Sequence, residues 1–525
     1  MPKVLISDKL SPAAADIFRN RGLDVDVKVG LSKEELISII GDYDGLAVRS
    51  ATKVTADVMA AASNLRVVGR AGIGVDNIDI PAATAKGTVV MNTPFGNSIT
   101  TAEHAIAMIM SLARQIPQAD ISTQAGKWEK SRFMGSEVTG KTLGIIGCGN
   151  IGGIVADRAK GLSMKVIAYD PYLSSDKAAE LGVEKVELDA LLPRADFISL
   201  HTPLTDKTRN ILSADAINKT KKGVRIVNCA RGGLIDETAL KVALDSGHVA
   251  GAALDVFEKE PAKESPLFGT EGFIATPHLG ASTQEAQENV ALQVADQISD
   301  FLLTGAVTNA LNMPSIGADE AAHLKPYVAL AEQLGLFSGQ LTESAITGVQ
   351  IEYEGAVAEQ NTKALTAAAI AGLLRPLVSE VNMVNAPVVA KERGINISEV
   401  TRDAQGIFES YVRLTVTTER QERGVAGTVF SDGLPRLIQI KGINMEASLA
   451  PHMLYVVNED KPGFIGALGT ALGDAGLNIA TFNLGREEKT GEAITLVAVD
   501  QSVSQTMLES VLSLPHVIQA KALSF

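Results

Sequence analysis

Short apolar runs alternate with amphipathic stretches through the first third of the chain. The runs predict buried strands at residues 4–7, 25–29, 45–48, 65–70 and 89–92, and the stretches between them carry apolar residues at helical spacing. Strands that alternate with helices favour an α/β fold around a parallel sheet. A second series of apolar runs predicts strands of a further parallel sheet, at 197–200, 224–228, 250–255 and 273–276.

Two long helical stretches, 100–116 and 282–303, bracket the second series of strands. Because these helices can cross between the two α/β units, we predict that the first unit is a discontinuous, flavodoxin-like lobe built from 1–96 and 285–311. The second unit, 97–284, is then inserted into it. Ligands usually lie in the cleft between two such lobes.

Residues 142–170, TLGIIGCGNIGGIVADRAKGLSMKVIAYD, contain the parts of a dinucleotide cradle in order. A predicted strand leads into a loop in which Gly147 permits a tight turn, Gly149 leaves space for a pyrophosphate and Gly152 allows close helix–strand packing. A helix and a second strand follow, and that strand ends at Asp170. Its carboxylate suits the ribose hydroxyls and repels a 2′-phosphate, so the pattern predicts a Rossmann-type doubly wound sheet that binds NAD rather than NADP.

The C-terminal part of the chain predicts two further domains. Residues 312–450 combine helical stretches, 331–341 and 363–377, with antiparallel strands at 411–418, 428–430 and 436–440, and Gly427 and Gly433 are expected at turns. This α+β domain has no nucleophile or metal spacing, so we expect binding or assembly from it. Residues 451–525 predict the order βαββαβ, which begins with a strand at 452–458 and closes with one at 517–521.

Composition limits the range of partners. Asp and Glu number 61 against 47 Lys and Arg, the net charge is −14, and no basic block offers a surface to nucleic acid. Cys148 and Cys229 are the two cysteines, so we expect a reducing compartment, no disulfide and no metal site. No apolar run reaches membrane-spanning length. We therefore expect a cytoplasmic protein, or an organellar one if a transit peptide has been removed.

Three polar residues that follow the later strands suit the oxidation of a hydroxy acid. His278 can exchange a proton near neutral pH, Glu260 can fix its tautomer, and the fork of Arg231 can hold a carboxylate. Each has another explanation: a strand-end histidine is often structural, and a glutamate before proline is usually a solvated loop residue. An arginine followed by two glycines is rarely needed for packing.

Six segments resemble the D-2-hydroxyacid dehydrogenase family: GRAGIGVDNID (69–79), NSITTAEHAIAMIM (97–110), GIIGCGNIGGIVA (144–156), VNCARGGLIDE (227–237), ALDVFEKEP (253–261) and TPHLGASTQEAQ (276–287). The resemblance implies catalysis by Arg231, Glu260 and His278. It implies phosphate and carboxylate contacts from Arg49, Arg70, Gly72 and Asn97, although the two arginines also suit surface ion pairs. It implies cofactor contacts from Gly147, Gly149, Asn150, Ile151, Gly152, Asp170, Thr202, Cys229, Ala230, Asp255, Gly280 and Ala281.

The resemblance extends to the family's long, phosphoglycerate-oxidising branch, whose members carry an intervening domain and an ACT domain. It implies NAD-dependent oxidation of 3-phospho-D-glycerate to 3-phosphooxypyruvate, the first step of serine synthesis, by a homo-oligomer, either a dimer or a tetramer. L-Serine is then the expected effector, at Asn458, Asp460 and Asn478. The alternatives are a glyoxylate/hydroxypyruvate reductase or D-lactate dehydrogenase, an NAD-sensing corepressor, and an amino-acid sensor with a vestigial dehydrogenase.

Overall fold

A computed structural model describes residues 1–94, 96–378, 381–404, 408–487 and 491–525. These residues form four β-sheets, each covered by helices. None of the described helices combines the length and apolar character that crossing a bilayer requires.

The first sheet has five parallel strands in the order β2-β1-β3-β4-β5, which is the flavodoxin-like order. Strands β1, β3, β4 and β5 are almost wholly buried between helices, as their unbroken apolar runs predict. The elements of this first lobe are β1 Lys3–Ile6, α1 Pro12–Asn20, β2 Asp24–Val27, α2 Lys33–Ile39, β3 Gly45–Val48, α3 Ala56–Ala61, β4 Val67–Arg70, α4 Ile80–Lys86 and β5 Val89–Asn92.

The second sheet has seven parallel strands in the order β12-β11-β10-β9-β6-β7-β8. Strand β6 leads into the glycine loop at the centre of the sheet, where the order of the strands reverses, so the Rossmann-type prediction is confirmed. The elements of this second lobe are α5 Ser98–Arg114, α6 Ile116–Gln124, β6 Thr142–Ile146, α7 Asn150–Gly161, β7 Lys165–Tyr169, α8 Ser175–Leu181, β8 Glu184–Lys185, α9 Leu188–Leu191, β9 Phe197–Leu200, α10 Ala214–Asn218, β10 Val224–Asn228, α11 Glu237–Asp245, β11 Val249–Leu254 and β12 Phe273–Ala275.

Helix α12, Gln284–Thr304, leaves the second lobe and packs along the sheet of the first. A Cβ added to Gly69 of β4 would lie 2.6 Å from side-chain atoms of both Val294 and Ile298, so the helix and the strand are in direct contact. Helix α12 thus packs on the first sheet although it follows the second lobe in sequence, and the division of the chain into domains stays a prediction.

The third sheet has the order β14-β13-β15-β16-β17-β18, and its β13–β14 pair is parallel. The antiparallel strands β15 and β17 were predicted, and the strand predicted at 428–430 overlaps β16 only at residues 428 and 429, whereas β13, β14 and β18 were not predicted. Gly427 was wrongly placed at a turn: it pairs with Leu437 inside β16, while Gly433 lies at a turn with φ 76°. The elements are α13 Ala318–Gln340, β13 Ile346–Gly355, α14 Thr362–Leu374, α15 Ala386–Glu392, β14 Asn396–Arg402, β15 Ser410–Thr418, β16 Glu422–Val429, β17 Pro435–Ile440 and β18 Ile443–Ala447.

The last sheet confirms the βαββαβ order and arranges its strands as β20-β21-β19-β22. Its end strand β20 contacts β18 of the third sheet, where the Asn483 amide donates to the Glu446 carbonyl at 2.6 Å. The elements are β19 His452–Glu459, α16 Phe464–Asp474, β20 Ile479–Arg486, β21 Glu492–Val499, α17 Gln505–Leu512 and β22 Val517–Ser524.

Candidate active site

A cavity of about 1140 Å³ separates the first and second lobes at the carboxyl ends of their strands. Parallel sheets gather ligands at this edge, since every strand delivers its following loop there. Of the residues predicted to act on the substrate or the cofactor, those that line this cavity are Arg49, Arg70, Gly72, Asn97, Asp255, Glu260, His278 and Ala281.

His278 and Glu260 form a hydrogen-bonded pair, with Nδ1 of the imidazole 2.7 Å from Oε2 of the carboxylate. The other carboxylate oxygen accepts the backbone N–H of Phe257 at 3.0 Å, so Glu260 is fixed at both ends. The hydrogen bond that His278 donates to Glu260 raises the pKa of His278 above its ordinary value, against the opposing effect of burial. Burial alone would raise the pKa of Glu260, but its bonds to His278 and Phe257 lower it. The imidazole keeps Nε2 for a substrate proton.

The buried carboxylate of Asp255 holds the backbone on which His278 stands. It accepts the N–H groups of Leu279 and Gly280 at 2.7 and 2.8 Å and the hydroxyl of Thr276 at 2.6 Å. Its predicted contact with the cofactor stays a prediction, because both oxygens already have partners within the chain.

His104 of helix α5 completes this arrangement, and sequence reasoning missed it. Its Nε2 lies 3.3 Å from Oδ1 of Asp255, and ligand-type atoms of His104, Cys229 and Asp255 lie within 4.8 Å of one another. Since the Asp255 oxygens are taken by the loop, we interpret the group as a hydrogen-bonded support rather than an ion site. The segment 97–110 was noted for its resemblance, but nothing local to it indicated this pairing.

Arg231 reaches across the cleft to the first lobe. Its Nε donates to Oδ2 of Asp76 at 3.0 Å, and its guanidinium lies against Gly74, where an added Cβ would sit 1.8 Å from Nη2. The turn that carries Arg231 is held by Asn228, which accepts from the N–H of Ala230 and donates to the carbonyl of Arg231. Asp76 is a second residue that sequence reasoning missed.

Arg49 and Arg70 face Arg231 from the first lobe, and neither forms an ion pair with a described residue. Arg49 contacts only the carbonyl of Lys9 at 3.4 Å through its side chain, and the buried Nε of Arg70 has no partner. Removal from water, followed by the charges of Arg231 and Arg49, lowers the pKa of Arg70 to about 10. The surface ion-pair explanation therefore does not fit these two arginines. They form a cationic pocket, and the nearby charges of Asp76 and Asp8 offset the lowering of the Arg70 pKa only in part.

Gly72 and Asn97 lie beside the arginines. Gly72 adopts φ 135°, a conformation that favours glycine, and its N–H donates to the hydroxyl of Thr93 at 2.6 Å. The side chain of Asn97 is buried, and its Oδ1 has no hydrogen-bond partner among the described residues. Buried polar atoms are nearly always paired, so this oxygen is suited to a ligand donor.

The predicted cofactor cradle opens into a second cavity of about 850 Å³. Gly147 has φ 92° and would place a Cβ 2.6 Å from the carbonyl of His201, while a Cβ on Gly152 would lie 2.1 Å from the carbonyl of Gly147. A Cβ on Gly149 would meet nothing within 4 Å, which leaves open space beside the first turn of α7. The glycines thus take the positions that the spacing predicted.

Asp170 directly follows β7 and lines this second cavity. Its two oxygens accept the N–H groups of Cys148 and Tyr172, each at 2.8 Å, and so aim the carboxylate across the glycine loop. The other predicted cofactor residues lie in the first turn of α7 or at the carboxyl edge of the same sheet: Asn150, Ile151, Thr202, Cys229, Ala230 and Gly280. Of these, Cys229 is buried. The cradle fits a dinucleotide by shape and by charge.

The three predicted effector residues do not meet within one chain. Asn458 pairs with Ala493 near the start of β21, whereas Asn478 precedes Ile479, which pairs with Val499 at its end. Six residues of extended strand separate Ala493 from Val499, a distance of roughly 20 Å.

The side chains of these residues are engaged. Asp460 accepts two bonds from Arg486 at 2.6 and 2.7 Å, and Asn478 donates to Asp500 at 2.7 Å. Asn458 is buried and donates to the carbonyl of Glu459 at 2.8 Å. An effector would have to displace at least one of these contacts.

Comparison with known families gives three matches along the chain. They are the "D-isomer specific 2-hydroxyacid dehydrogenase, NAD binding domain" at residues 106–280, the "D-3-phosphoglycerate dehydrogenase intervening domain" at 323–441 and the "ACT domain" at 452–516. These matches agree with the second, third and fourth sheets.

Individual relatives agree with the family matches. The chain is 43% identical to the D-3-phosphoglycerate dehydrogenase of Bacillus subtilis over 99% of both chains, and 48% identical to that of Homo sapiens over 75% of both. A solved glyoxylate reductase from Paecilomyes thermophila matches with a TM-score of 0.55 and 30% identity, over 98% of its own length but 59% of this chain. The reductase therefore matches less of this chain than the Bacillus enzyme does.

Proposed function

The chain belongs to the D-3-phosphoglycerate dehydrogenases of the D-isomer specific 2-hydroxyacid dehydrogenase family, and from this premise we propose that it oxidises 3-phospho-D-glycerate to 3-phosphooxypyruvate with NAD. The reaction is the first step of L-serine synthesis. We divide the chain into a substrate domain (1–96 with 285–311), an NAD domain (97–284), an intervening domain (312–450) and an ACT domain (451–525). The four sheets and the crossing of α12 support this division.

The cationic pocket carries the proposal. A phosphorylated hydroxy acid brings a phosphate and a carboxylate. Arg49 and Arg70 line the cleft together with Glu260 and His278, and the charge of Arg231 acts on both Arg70 and His278. Planar guanidinium forks match both kinds of anion. We assign the phosphate to Arg49 and Arg70, with Gly72 and Asn97 beside it, and the carboxylate to Arg231.

The catalytic residues act as follows. Arg231 exchanges its bond to Asp76 for the substrate carboxylate, which fixes the C2 hydroxyl near His278. Nε2 of His278 removes the hydroxyl proton while Glu260, on Nδ1, stabilises the imidazolium that forms. Closure of the two lobes excludes water and aligns the reacting atoms.

The cofactor is held by the chain's own backbone and Asp170. The first turn of α7, at Asn150 and Ile151, would offer its free N–H groups to the pyrophosphate, and Asp170 would accept from the ribose hydroxyls. Bound NAD supplies a hydride acceptor for C2. Thr202, Asp255 and the 278–281 loop then line the nicotinamide end.

A single set of assays tests this function. NADH consumption is compared for phosphohydroxypyruvate, hydroxypyruvate, glyoxylate and pyruvate, and we expect the phosphorylated acceptor to have the highest kcat/KM. A preference for an unphosphorylated acceptor would instead support the glyoxylate/hydroxypyruvate reductase alternative. It would contradict the roles of Arg49 and Arg70.

The His278–Glu260 pair sets the pH dependence. Oxidation needs neutral His278, so its kcat/KM should rise as pH increases through the raised pKa, while reduction needs the imidazolium and should fall over the same range. Glu260→Gln removes the interaction that raises the pKa, so both midpoints should move to lower pH. Profiles measured in both directions check this, and Glu459→Gln, which alters a remote His–Glu pair at His516, should leave the midpoints in place.

We propose that the protein is a homo-oligomer, a dimer or a tetramer. Large apolar side chains are exposed on α6 and on the segment that follows it, including Ile121, Trp128 and Met134, which are 69%, 88% and 79% exposed. Exposed apolar clusters of this kind are typical of interfaces. Sedimentation velocity of the Ile121→Ser, Trp128→Ser variant should show smaller particles than the parent protein, and an unchanged size would contradict this surface.

L-Serine is the effector that we propose for the ACT domain. Asn458 and Asp460 lie at one end of the ACT sheet, and Asn478 lies at the other end. An amino acid that contacts all three positions must therefore bridge two ACT domains from different chains. We expect L-serine to inhibit the steady-state rate, D-serine to have a weaker effect, and Asp460→Asn to weaken inhibition by about tenfold through loss of the ammonium partner. A flat response to L-serine at concentrations on the order of 1 mM would exclude this effector.

We propose that the protein works in a reducing compartment, either the cytoplasm or the interior of an organelle. Cys148 and Cys229 are both buried free thiols, and burial is the first cause that raises the pKa of Cys148 to about 11. Such thiols resist oxidation because they seldom ionise.

A further inference from the structure

A third cavity, of about 420 Å³, lies between the first lobe and the third domain. It opens at the amino ends of β4 and β5, on the side of the sheet opposite the catalytic cleft. Its walls come from Arg66 and Val89 of the first lobe, the C-terminal end of α12, helix α13 and the segment 382–384. No described residue in these walls belongs to the catalytic or cofactor sites.

The lining of this cavity is largely apolar, and its charged residues are Arg66, Lys325 and the ion pair that Arg375 forms with Glu332. Phe301, Val307, Ile316, Leu324 and Val384 supply the walls. At the mouth, exposed Arg66 and Lys325 have neither a hydrogen bond nor an ion pair from their side chains to a described residue. The guanidinium of Arg66 lies 5.5 Å from the centre of the Phe301 ring. The size lies within the range of small-molecule sites, and the charge selects an anion.

We propose that this cavity binds a small organic carboxylate with an aromatic or branched apolar body, and that its occupancy is coupled to the catalytic cleft. The apolar body is buried against Phe301 and Leu324, and the carboxylate contacts Arg66 and Lys325. This differs from the amino-acid site of the ACT domain in both place and ligand, since here most of the ligand surface is apolar.

Two elements connect the cavity to the cleft. Strand β4 begins directly after Arg66 and ends at Arg70, which lines the cleft. Along the extended strand, Arg66 and Arg70 are about 13 Å apart. Helix α12 contributes Phe301 and Thr304 to the cavity and Ala286 and Val290 to the cleft. Because this helix packs on β4 at Gly69 without free space, a shift at one end reaches both sites.

Binding is tested by isothermal titration calorimetry of the full chain with 4-phenylbutyrate as the probe. We expect a dissociation constant on the order of 1 mM or tighter. Arg66→Gln with Lys325→Gln should weaken binding by about tenfold or more, and Thr304→Trp, which fills the mouth from an exposed position, should abolish it. The matched controls are Lys363→Gln and Leu303→Trp, at exposed positions outside the cavity. No heat from the parent protein, or binding that all variants retain, would overturn the site.

Coupling is tested separately and rests on the proposed function. Saturating 4-phenylbutyrate should change the dissociation constant of 3-phospho-D-glycerate by about fivefold or more, and 3-phospho-D-glycerate should change the affinity for 4-phenylbutyrate by the same factor. Binding without either change would overturn the coupling. If the protein binds 4-phenylbutyrate but does not oxidise 3-phospho-D-glycerate, the proposed function is wrong and the assignment of the cavity stands. If it oxidises 3-phospho-D-glycerate but does not bind 4-phenylbutyrate, the assignment of the cavity is wrong and the proposed function stands.

Discussion

Replacing His278 by alanine is expected to lower kcat by about 10²–10⁴-fold in both directions of the reaction. The imidazole is the group whose free nitrogen faces the cleft, and its other nitrogen is fixed 2.7 Å from Glu260. The cofactor cradle at Gly149 and Asp170 is built from other elements, so NADH binding should stay nearly intact. Steady-state assays and fluorescence titration with NADH measure the two quantities on the same preparation.

The chain provides a close control for this substitution. His516 also has a left-handed backbone, with φ 71° against 56° for His278, and its Nδ1 lies 3.1 Å from the carboxylate of Glu459. His516→Ala therefore removes a similar pair from the ACT domain, far from the cleft, and should leave kcat intact. If His278→Ala weakens NADH binding as much as it lowers turnover, the assignment of a proton-transfer role is wrong.

Replacing Arg70 by methionine is expected to separate activity from stability. The value of kcat/KM for 3-phospho-D-glycerate should fall by about 10²–10³-fold, because the phosphate loses a desolvated charge partner. The same change should raise the free energy of unfolding of the ligand-free protein by about 1 kcal/mol, because the buried Nε of Arg70 has no hydrogen-bond partner and its guanidinium forms no ion pair with a described residue. Kinetics with phosphorylated and unphosphorylated acceptors, together with urea unfolding, measure both effects.

Arg225 is the matched control for Arg70. Its guanidinium is also partly removed from water, which lowers its pKa, but it lies 5.5 Å from the centre of the Phe197 ring and donates to Ser136 at 3.1 Å. Arg225→Met should lower stability and leave kcat/KM unchanged. An equal loss of kcat/KM in both variants would show that Arg70 acts on the fold rather than on the substrate.

The parts of the fold that the sequence predicted well are those where the local pattern and the tertiary environment agree. The predicted strands 45–48, 89–92, 197–200 and 224–228 coincide with β3, β5, β9 and β10, since each is an apolar run buried on both faces. The glycine loop was predictable because each glycine answers a local steric need, which the close contacts of Gly147 and Gly152 show.

The failures lie where a partner distant in sequence decides the structure. Gly427 was predicted to lie at a turn, but it lies within β16. The strand has a glycine at this position because helix α13 packs so closely that an added Cβ would be 2.6 Å from the Leu330 side chain. Strand β14 is largely exposed and has no apolar run, so only its pairing with β13 defines it.

The candidate site shows the same division. Residues that carry the chemistry themselves, such as His278 and Arg231, could be proposed from their type and from the strands they follow. His104 and Asp76 could not, because each acts through a residue more than a hundred positions away, on Asp255 and Arg231 respectively. Single-sequence patterns contain no information on such pairings until the sheets are assembled.

The separation of Asn458 from Asn478 across one sheet limits how feedback can operate. A molecule the size of an amino acid cannot touch both ends, so any response that needs both is shared between chains. In the oligomer that we propose, sensitivity to L-serine would then belong to the assembled protein, and it should fade on dilution even where each subunit keeps its turnover. Mixed oligomers that combine one Asn458 variant and one Asn478 variant would retain some intact sites, so that two insensitive proteins together regain part of the response.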